Sequence, residues 1–404
     1  MNDGQARECV VCAAVGLRTA LAFGAQPPSN RFLAGDNNPQ PVEERYPVSL
    51  GICAQCSTIQ LVERMPLDAV RPRYDWLVYN EPEGHLDEVA DTLSGLAGIN
   101  RSSRFLGVTY KDKSTLDRMA AKGCMHTACV DEQGLNSPHA PFGLETIQDI
   151  LSQPAAVARV KDIYGTADVL LARHIVEHAA SASRFIKALR ALLAPGGYML
   201  LELPDSERVF RANNYPFIWE EHISYFTGAS VAQLAAAVGA ELVWLGRYPY
   251  AFEDSLIVVL RFPEGGAAQA RCAGPRKDHA AEHMLAAFGN GFAAARQRWR
   301  QELQALRARG EKVAVFGAGH LAVKFINFFA LADLIDCVID DHPKKIGLRM
   351  PGSHLQIAAS AALATRKIRT CISTLSPESE LKAKAKLAGY FNAGGSFIPA
   401  FATG

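Results

Sequence analysis

Residues 167–204 read ADVLLARHIVEHAASASRFIKALRALLAPGGYMLLELP. The opening ADVLLARH is largely apolar and too short for a core helix, so it reads as a buried strand. In ASRFIKALRALLAPGG, apolar residues return at three- and four-residue intervals and stop at Pro-Gly-Gly, which predicts a helix ending there. YMLLELP is apolar again. Strand, helix, strand is the unit of a parallel sheet with helices on its faces.

The same alternation extends in both directions. RFLGV at 104–108 reads as a strand, STLDRMAAKG as a helix ending at Gly123, HTACVDE as the next strand and LETIQDILSQ as a short amphipathic stretch. SVAQLAAAVGA follows as a helix, and ELVWLGRYP and SLIVVLRF read as a closing antiparallel pair. Residues 263–280, rich in Gly, Ala and Pro, read as a linker, and a long helix over about 281–309 follows. KVAVFGAGHLAVKFINFF and LIDCVIDDHPKKIG then begin a second α/β unit at Lys312, with IRTCIST a later strand. The expected organisation is residues 1–75 as an N-terminal module, 76–262 as a doubly wound α/β domain, 263–310 as linker and long helix, and 311–404 as a Rossmann-like domain.

The 404 residues exceed what one core usually organises. The net charge of +1 gives no basic surface for nucleic acid or anionic lipid. No apolar run is long enough to span a bilayer, and the polar start MNDGQARECV does not read as a secretion signal. A cytoplasmic protein is expected, and nine cysteines there suggest metal ligation before disulfides. Four of them form two CxxC pairs, Cys9/Cys12 and Cys53/Cys56. Each pair on a tight turn aims two thiolates at one ion, and two pairs complete a tetrahedral site for a structural zinc with no open position. Two unrelated reduced pairs are the alternative. The segment between the pairs, QPPSNRFLAGDNNPQPVEERYPVSL, reads as mostly loop, and STIQLVERMP as a strand.

The order of four-cysteine module, α/β core and second Gly-rich α/β unit resembles the sugar C-methyltransferases, which methylate a carbon beside the ketone of a nucleotide-linked deoxysugar. Their core is the class I fold that binds S-adenosylmethionine. The residues that carry the resemblance are the opening stretch, WEEHISYFTGASVAQLAAAVGAEL and VIDDHPKKIGLRMPGSHLQI. It implies a small-molecule nucleotide-sugar substrate and an active-site His in an HEHxxYF-like segment, here Glu220-Glu221-His222-Ile223-Ser224-Tyr225-Phe226. Methylation beside a ketone requires loss of an α-proton, and a His can take it. Glu221 would hold its tautomer or a sugar hydroxyl. Capping of the following helix is the plainer role for His222. The resemblance also implies an aromatic near the sugar, among Tyr74, Trp76 and Tyr79, with Tyr79 placed in catalysis. Tyr225, Lys324 and Asn327 are further substrate contacts on the same basis.

A class I methyltransferase binds its donor with a Gly-rich turn after the first strand, an acid ending the second, and polar groups after the fourth. Asp131 and Glu132 supply the acid, and His174 the polar position, with His178 one turn on reading as local support. The turn is altered: Tyr110-Lys111-Asp112-Lys113 follows Gly107. Asp112 stands near the family's loop acid, and Lys111 or Lys113 would reach a carboxylate, a phosphate or solvent. Donor binding is therefore open, and an isomerase, epimerase or lyase on the same scaffold is the alternative. Gly317-x-Gly319-x-x-Ala322 after a strand, with Asp340 ending the next, is a dinucleotide fingerprint that leaves NAD chemistry or a non-catalytic binding role open too.

Overall fold

The computed structural model describes residues 8–35, 42–74, 81–136, 143–263 and 276–401. Its centre is a six-stranded sheet in the order His126–Cys129, Arg104–Gly107, Ala167–Arg173, Leu193–Asp205, Asp254–Arg261, Glu241–Tyr248. The first four strands run parallel, and Asp254–Arg261 is antiparallel to both of its neighbours. Ala167–Arg173 is covered on both faces, which is why Val169–Ala172 is a continuous apolar run. Glu241–Tyr248 is an edge strand and alternates exposed with half-buried positions. From Arg104–Gly107 the chain passes first to one side of that strand and later to the other. This creates a topological switch point, where the carboxyl ends of the strands open onto a crevice.

The C-terminal unit is a five-stranded parallel sheet, Ile357–Ala358, Cys337–Ile339, Val313–Phe316, Thr370–Ser373, Ser396–Pro399. The helix His279–Ala308 ties it to the centre: Phe288 O accepts from Tyr215 Oη at 2.8 Å, and Trp299 packs edge-on against Phe325. No helix among the described residues is long and apolar enough to cross a membrane.

The structure departs from the sequence reading in three places. The helix after Ala167–Arg173 ends at Leu189, and Pro195-Gly196-Gly197 lies inside the strand Leu193–Asp205. Gly196 has φ 72°, and the register against Ala167–Arg173 shifts there, so Pro and Gly mark an irregular strand start and not a helix stop. In the segment 26–50 between the CxxC pairs the described residues 27–35 and 42–45 are largely loop, as expected, but 46–50 open a strand, and the strand before the segment was not anticipated. Leu17–Gln26 and Tyr46–Cys53 form an antiparallel pair whose irregular register hides the alternation. A helix at Pro154–Tyr164, with Pro at its start, was not anticipated.

Candidate functional site

The cysteine pairs sit on two matching turns. Ala13 N bonds Cys9 O and Cys9 N bonds Ala14 O; Ser57 N bonds Cys53 O and Cys53 N bonds Thr58 O. Ala13 and Ser57 both take φ 58°, turning each chain back after its second cysteine. The sulfurs face one another, Cys9 to Cys56 at 3.5 Å and Cys12 to Cys53 at 3.6 Å. That is too long for a disulfide and close to the ~3.8 Å edge of a tetrahedron with Zn–S bonds of ~2.3 Å. Val11 N and Gln55 N point at Cys9 Sγ and Cys53 Sγ, both at 3.4 Å. The four residues therefore fit a closed thiolate site.

This module also positions the His222 segment. Ser224–Tyr225 is the fourth strand of its antiparallel sheet, with Ile59 opposite Tyr225 and Gln60 opposite Ser224. Leu61 N donates to Ile223 O at 2.9 Å, and Ile223 N donates to Glu177 O at 2.7 Å. His222 is thus clamped between the module and the loop that leaves the central strand Ala167–Arg173. Its ring meets His178 edge-on at 4.9 Å and Trp219 at 5.0 Å, and Trp219 stacks on His320 of the C-terminal unit at 4.4 Å. Burial, with His320 adding to it, pushes His222 down to about 3, so the imidazole is neutral. The helix-cap role falls away, because Thr227 and Ser230 form the capping box of Gly228–Val238.

Beside it, Asn30 Nδ2 donates to Glu221 Oε1 at 3.1 Å, and burial together with Glu145 and Glu220 raises that carboxyl. Glu145, on the helix Leu144–Leu151, is lifted by burial to about 7, as is Glu177. At the tip of Ala167–Arg173, His174 adopts φ 51° and faces Glu202 at 3.2 Å. Burial alone would lower it, but Glu202 and Glu81 overcome that and lift it to about 9. His85 reaches the same Glu202 at 2.9 Å.

The altered turn closes on itself. Asp112 is fully buried; its Oδ2 accepts from Val108 N and Thr109 N at 2.8 Å and its Oδ1 from Arg173 N at 2.9 Å. Val108 N and Thr109 N are backbone donors of the turn itself, and Asp112 occupies both. Gly107 is needed for the same packing, since a Cβ there would stand 2.6 Å from Asp112 Cβ. The buried Arg173 side chain runs beneath the turn, bonded to Lys111 O, to Ser114 Oγ at 2.9 Å and to Glu202. Lys111 Nζ points to Glu81 at 3.5 Å, whereas Lys113 pairs with Asp117 on an exposed helix face. Asp131 caps the helix Glu132–Leu135 and accepts from Tyr164 Oη at 2.8 Å; Glu132 is exposed beside it.

Several of the positions assigned to the substrate have partners within the protein. Tyr225 Oη accepts from Trp219 N at 2.8 Å and donates to Trp219 O at 3.0 Å, fixing the loop. Asn327 Nδ2 holds Pro351 O at 3.1 Å, in the turn where Gly352 leaves room for it. Tyr74 Oη contacts Phe32 O at 3.3 Å. Trp76 and Tyr79 lie outside the described residues. Lys324 has no exposure and pairs with the buried Glu220, which also accepts from Ser29 N. Removing one partner of a buried pair strands the other charge. Lys324→Ala is therefore expected to destabilise the protein by about 3–5 kcal/mol in urea unfolding, and Lys324→Met/Glu220→Gln together by much less. Equal losses in the single and double variants would contradict this.

The second Gly-rich turn is also occupied. Ala318 N donates to Asp340 Oδ2 at 3.0 Å, and Lys345 Nζ bridges Asp340 Oδ2 and Ala318 O, each at 2.9 Å. The acid that a dinucleotide ribose would need is engaged inside the turn. Sequence reasoning passed over Glu145, Asn30, His85 and His320. Glu177 stands in RHIVEHA beside the residues it did single out, but the helix bearing Glu145 carries no signal beyond its amphipathic pattern.

Family models match three consecutive stretches: a zinc binding domain at 9–70, a methyltransferase domain at 79–245, and a C-methyltransferase C-terminal domain at 274–401. Among curated proteins, the C-methyltransferase NovU of Streptomyces niveus is 21% identical over 238 residues, 58% of this chain and 56% of NovU. The match thus spans little more than half of that relative. Two solved structures are similar to part of the chain. The 1,6-didemethyltoxoflavin-N1-methyltransferase of Burkholderia thailandensis is 15% identical, with TM-score 0.31, over 45% of this chain and 80% of that one. The N-methyltransferase NodS of Bradyrhizobium japonicum is 12% identical, with TM-score 0.27, over 44% and 86%.

Proposed function

Because this chain belongs to the C-methyltransferases that join a zinc-binding module, a methyltransferase domain and a C-terminal C-methyltransferase domain, we propose that it methylates a carbon beside the ketone of a nucleotide-linked sugar, using S-adenosylmethionine. One structural zinc belongs to Cys9, Cys12, Cys53 and Cys56 in this reading. The observation that supports it is the seat of His222: a neutral imidazole at the carboxyl ends of the central strands, held by backbone bonds from two sides. His222 removes the α-proton, and Asn30 orients the adjacent Glu221. Asp131, Glu132 and His174 are the chain's groups for the donor, which supplies an electrophilic methyl when bound. The turn at 107–113 does not fit a glycine-type cradle, because Asp112 and Arg173 fill it.

Calorimetry of the full chain with S-adenosylmethionine tests the reading, and micromolar binding is expected. Absence of heat, with proton exchange from a ketosugar retained, would sink methyl transfer. It would leave an enolising isomerase, epimerase or lyase on the same scaffold.

A further inference from the structure

We propose that Glu145, His178 and Glu221 form a second metal centre, a divalent-cation site of oxygen and nitrogen donors within the methyltransferase core, separate from the four cysteines. Each residue offers one ligand atom, and the three atoms lie within 4.8 Å of one another. Bonds of ~2.0–2.2 Å to a central ion allow ligand separations up to ~4.4 Å, so closing on an ion asks for shifts of a few tenths of an ångström. The ligands come from three separate elements: the first turn of Leu144–Leu151, the turn Val176–His178, and the segment leading into Ser224–Tyr225.

The second observation is a set of unsatisfied atoms. Glu145 Oε1 and His178 Nδ1 are buried without a hydrogen-bond partner, on residues only 5% and 6% exposed. A buried polar atom left unpaired costs about 1–3 kcal/mol, and two in one cluster mark a position that a ligand completes. The third residue already has an outer partner: Asn30 Nδ2 bonds Glu221 Oε1 at 3.1 Å and Val70 O at 3.1 Å. Such second contacts orient metal-binding carboxylates. Gly143 makes the placement of Glu145 possible, since a Cβ there would lie 1.9 Å from Glu145 Oε1.

One imidazole and two carboxylates suit a manganese- or zinc-type ion and leave coordination positions open. The four thiolates select soft zinc, so the two sites separate by donor type. The role of the ion rests on the reading proposed above: next to His222, it would stabilise the enolate oxygen while His222 takes the proton. His178 also groups with Glu177 and His222, and that alternative set would use up the base.

The test uses the zinc-loaded full chain, cleared of weakly held metal, and Mn2+ alone as probe, followed by the electron paramagnetic resonance of the free ion. A single Mn2+ per chain is expected, binding at least about 100-fold more weakly in Glu145→Gln and in His178→Gln. Glu145→Gln keeps the side-chain shape, and circular dichroism confirms its fold. His222→Ala should bind Mn2+ as the parent does. No uptake at millimolar Mn2+, uptake unchanged in both ligand variants, or uptake lost in His222→Ala would each overturn the assignment. The two readings fail separately. Mn2+ binding without proton exchange leaves the metal centre and removes the enolisation. Proton exchange at full rate in a chain that takes up no Mn2+ does the reverse.

Discussion

Cys53→Ser is expected to dismantle the N-terminal module and, with it, the geometry around His222. Structural zinc sites contribute apparent binding free energies of about 10–16 kcal/mol in small zinc peptides, and that energy is folding energy. Here it acts on more than the module. The turn at Cys53 closes onto Thr58, Ile59–Leu61 follows directly, and that strand carries Ser224–Tyr225 at its edge. A three-residue strand with two paired positions has little independent stability. Loss of the cross-link should free both. After weakly held metal is cleared, analysis of the parent should give about one zinc per chain, as four thiolates close one site, and the variant none. Thermal unfolding should fall steeply in the variant and in chelator-treated parent. A chelated protein that melts at the parent's temperature would remove zinc from the account of this fold.

His222→Ala is the second large effect expected. General-base catalysis contributes about 10²- to 10⁴-fold, so α-proton exchange from a nucleotide-linked ketosugar should fall by that factor. Stability should change far less. The backbone bonds that seat the segment, Leu61 N to Ile223 O and Ile223 N to Glu177 O, do not involve the ring, and Tyr225 closes the loop onto Trp219 independently. A variant that folds and still exchanges protons at the parent rate would place the base elsewhere. Glu177 is the next group to examine, because burial lifts it to about 7 and its backbone already touches the segment.

These two expectations meet at the fourth strand of the module, a connection invisible in the sequence. Residues 59–61 and 224–225 are separated by most of the methyltransferase domain, and two-residue strands have no periodicity to detect. The strand at 167–173 was legible because it is covered on both faces and so is largely apolar. Leu17–Gln26 was not, because its register slips twice against Tyr46–Cys53 and breaks the alternation. The cysteine pairs were legible for the opposite reason. The CxxC spacing is itself the local geometry, and both turns repeat it bond for bond.

The altered turn shows the same division. Its sequence announced a missing glycine cradle, and it could not say what had replaced it. Asp112 and Arg173 are 61 positions apart and meet only because the strands bearing them are neighbours in the sheet. Lys111 and Lys113 looked equivalent; one turns inward to Glu81 and the other lies along an exposed helix face. Lys324 is buried against Glu220 of the methyltransferase domain, and Asn327 bonds Pro351 O within its own unit. The sequence by itself determined the order of units, the thiolate set and the residue types available for proton transfer, because these follow from composition, spacing and short-range periodicity. Only the tertiary structure decided which of those residues come together. Burial and partner geometry depend on strands and loops that are distant along the chain, and they set whether a carboxylate is a cap, an ion-pair partner or a free ligand.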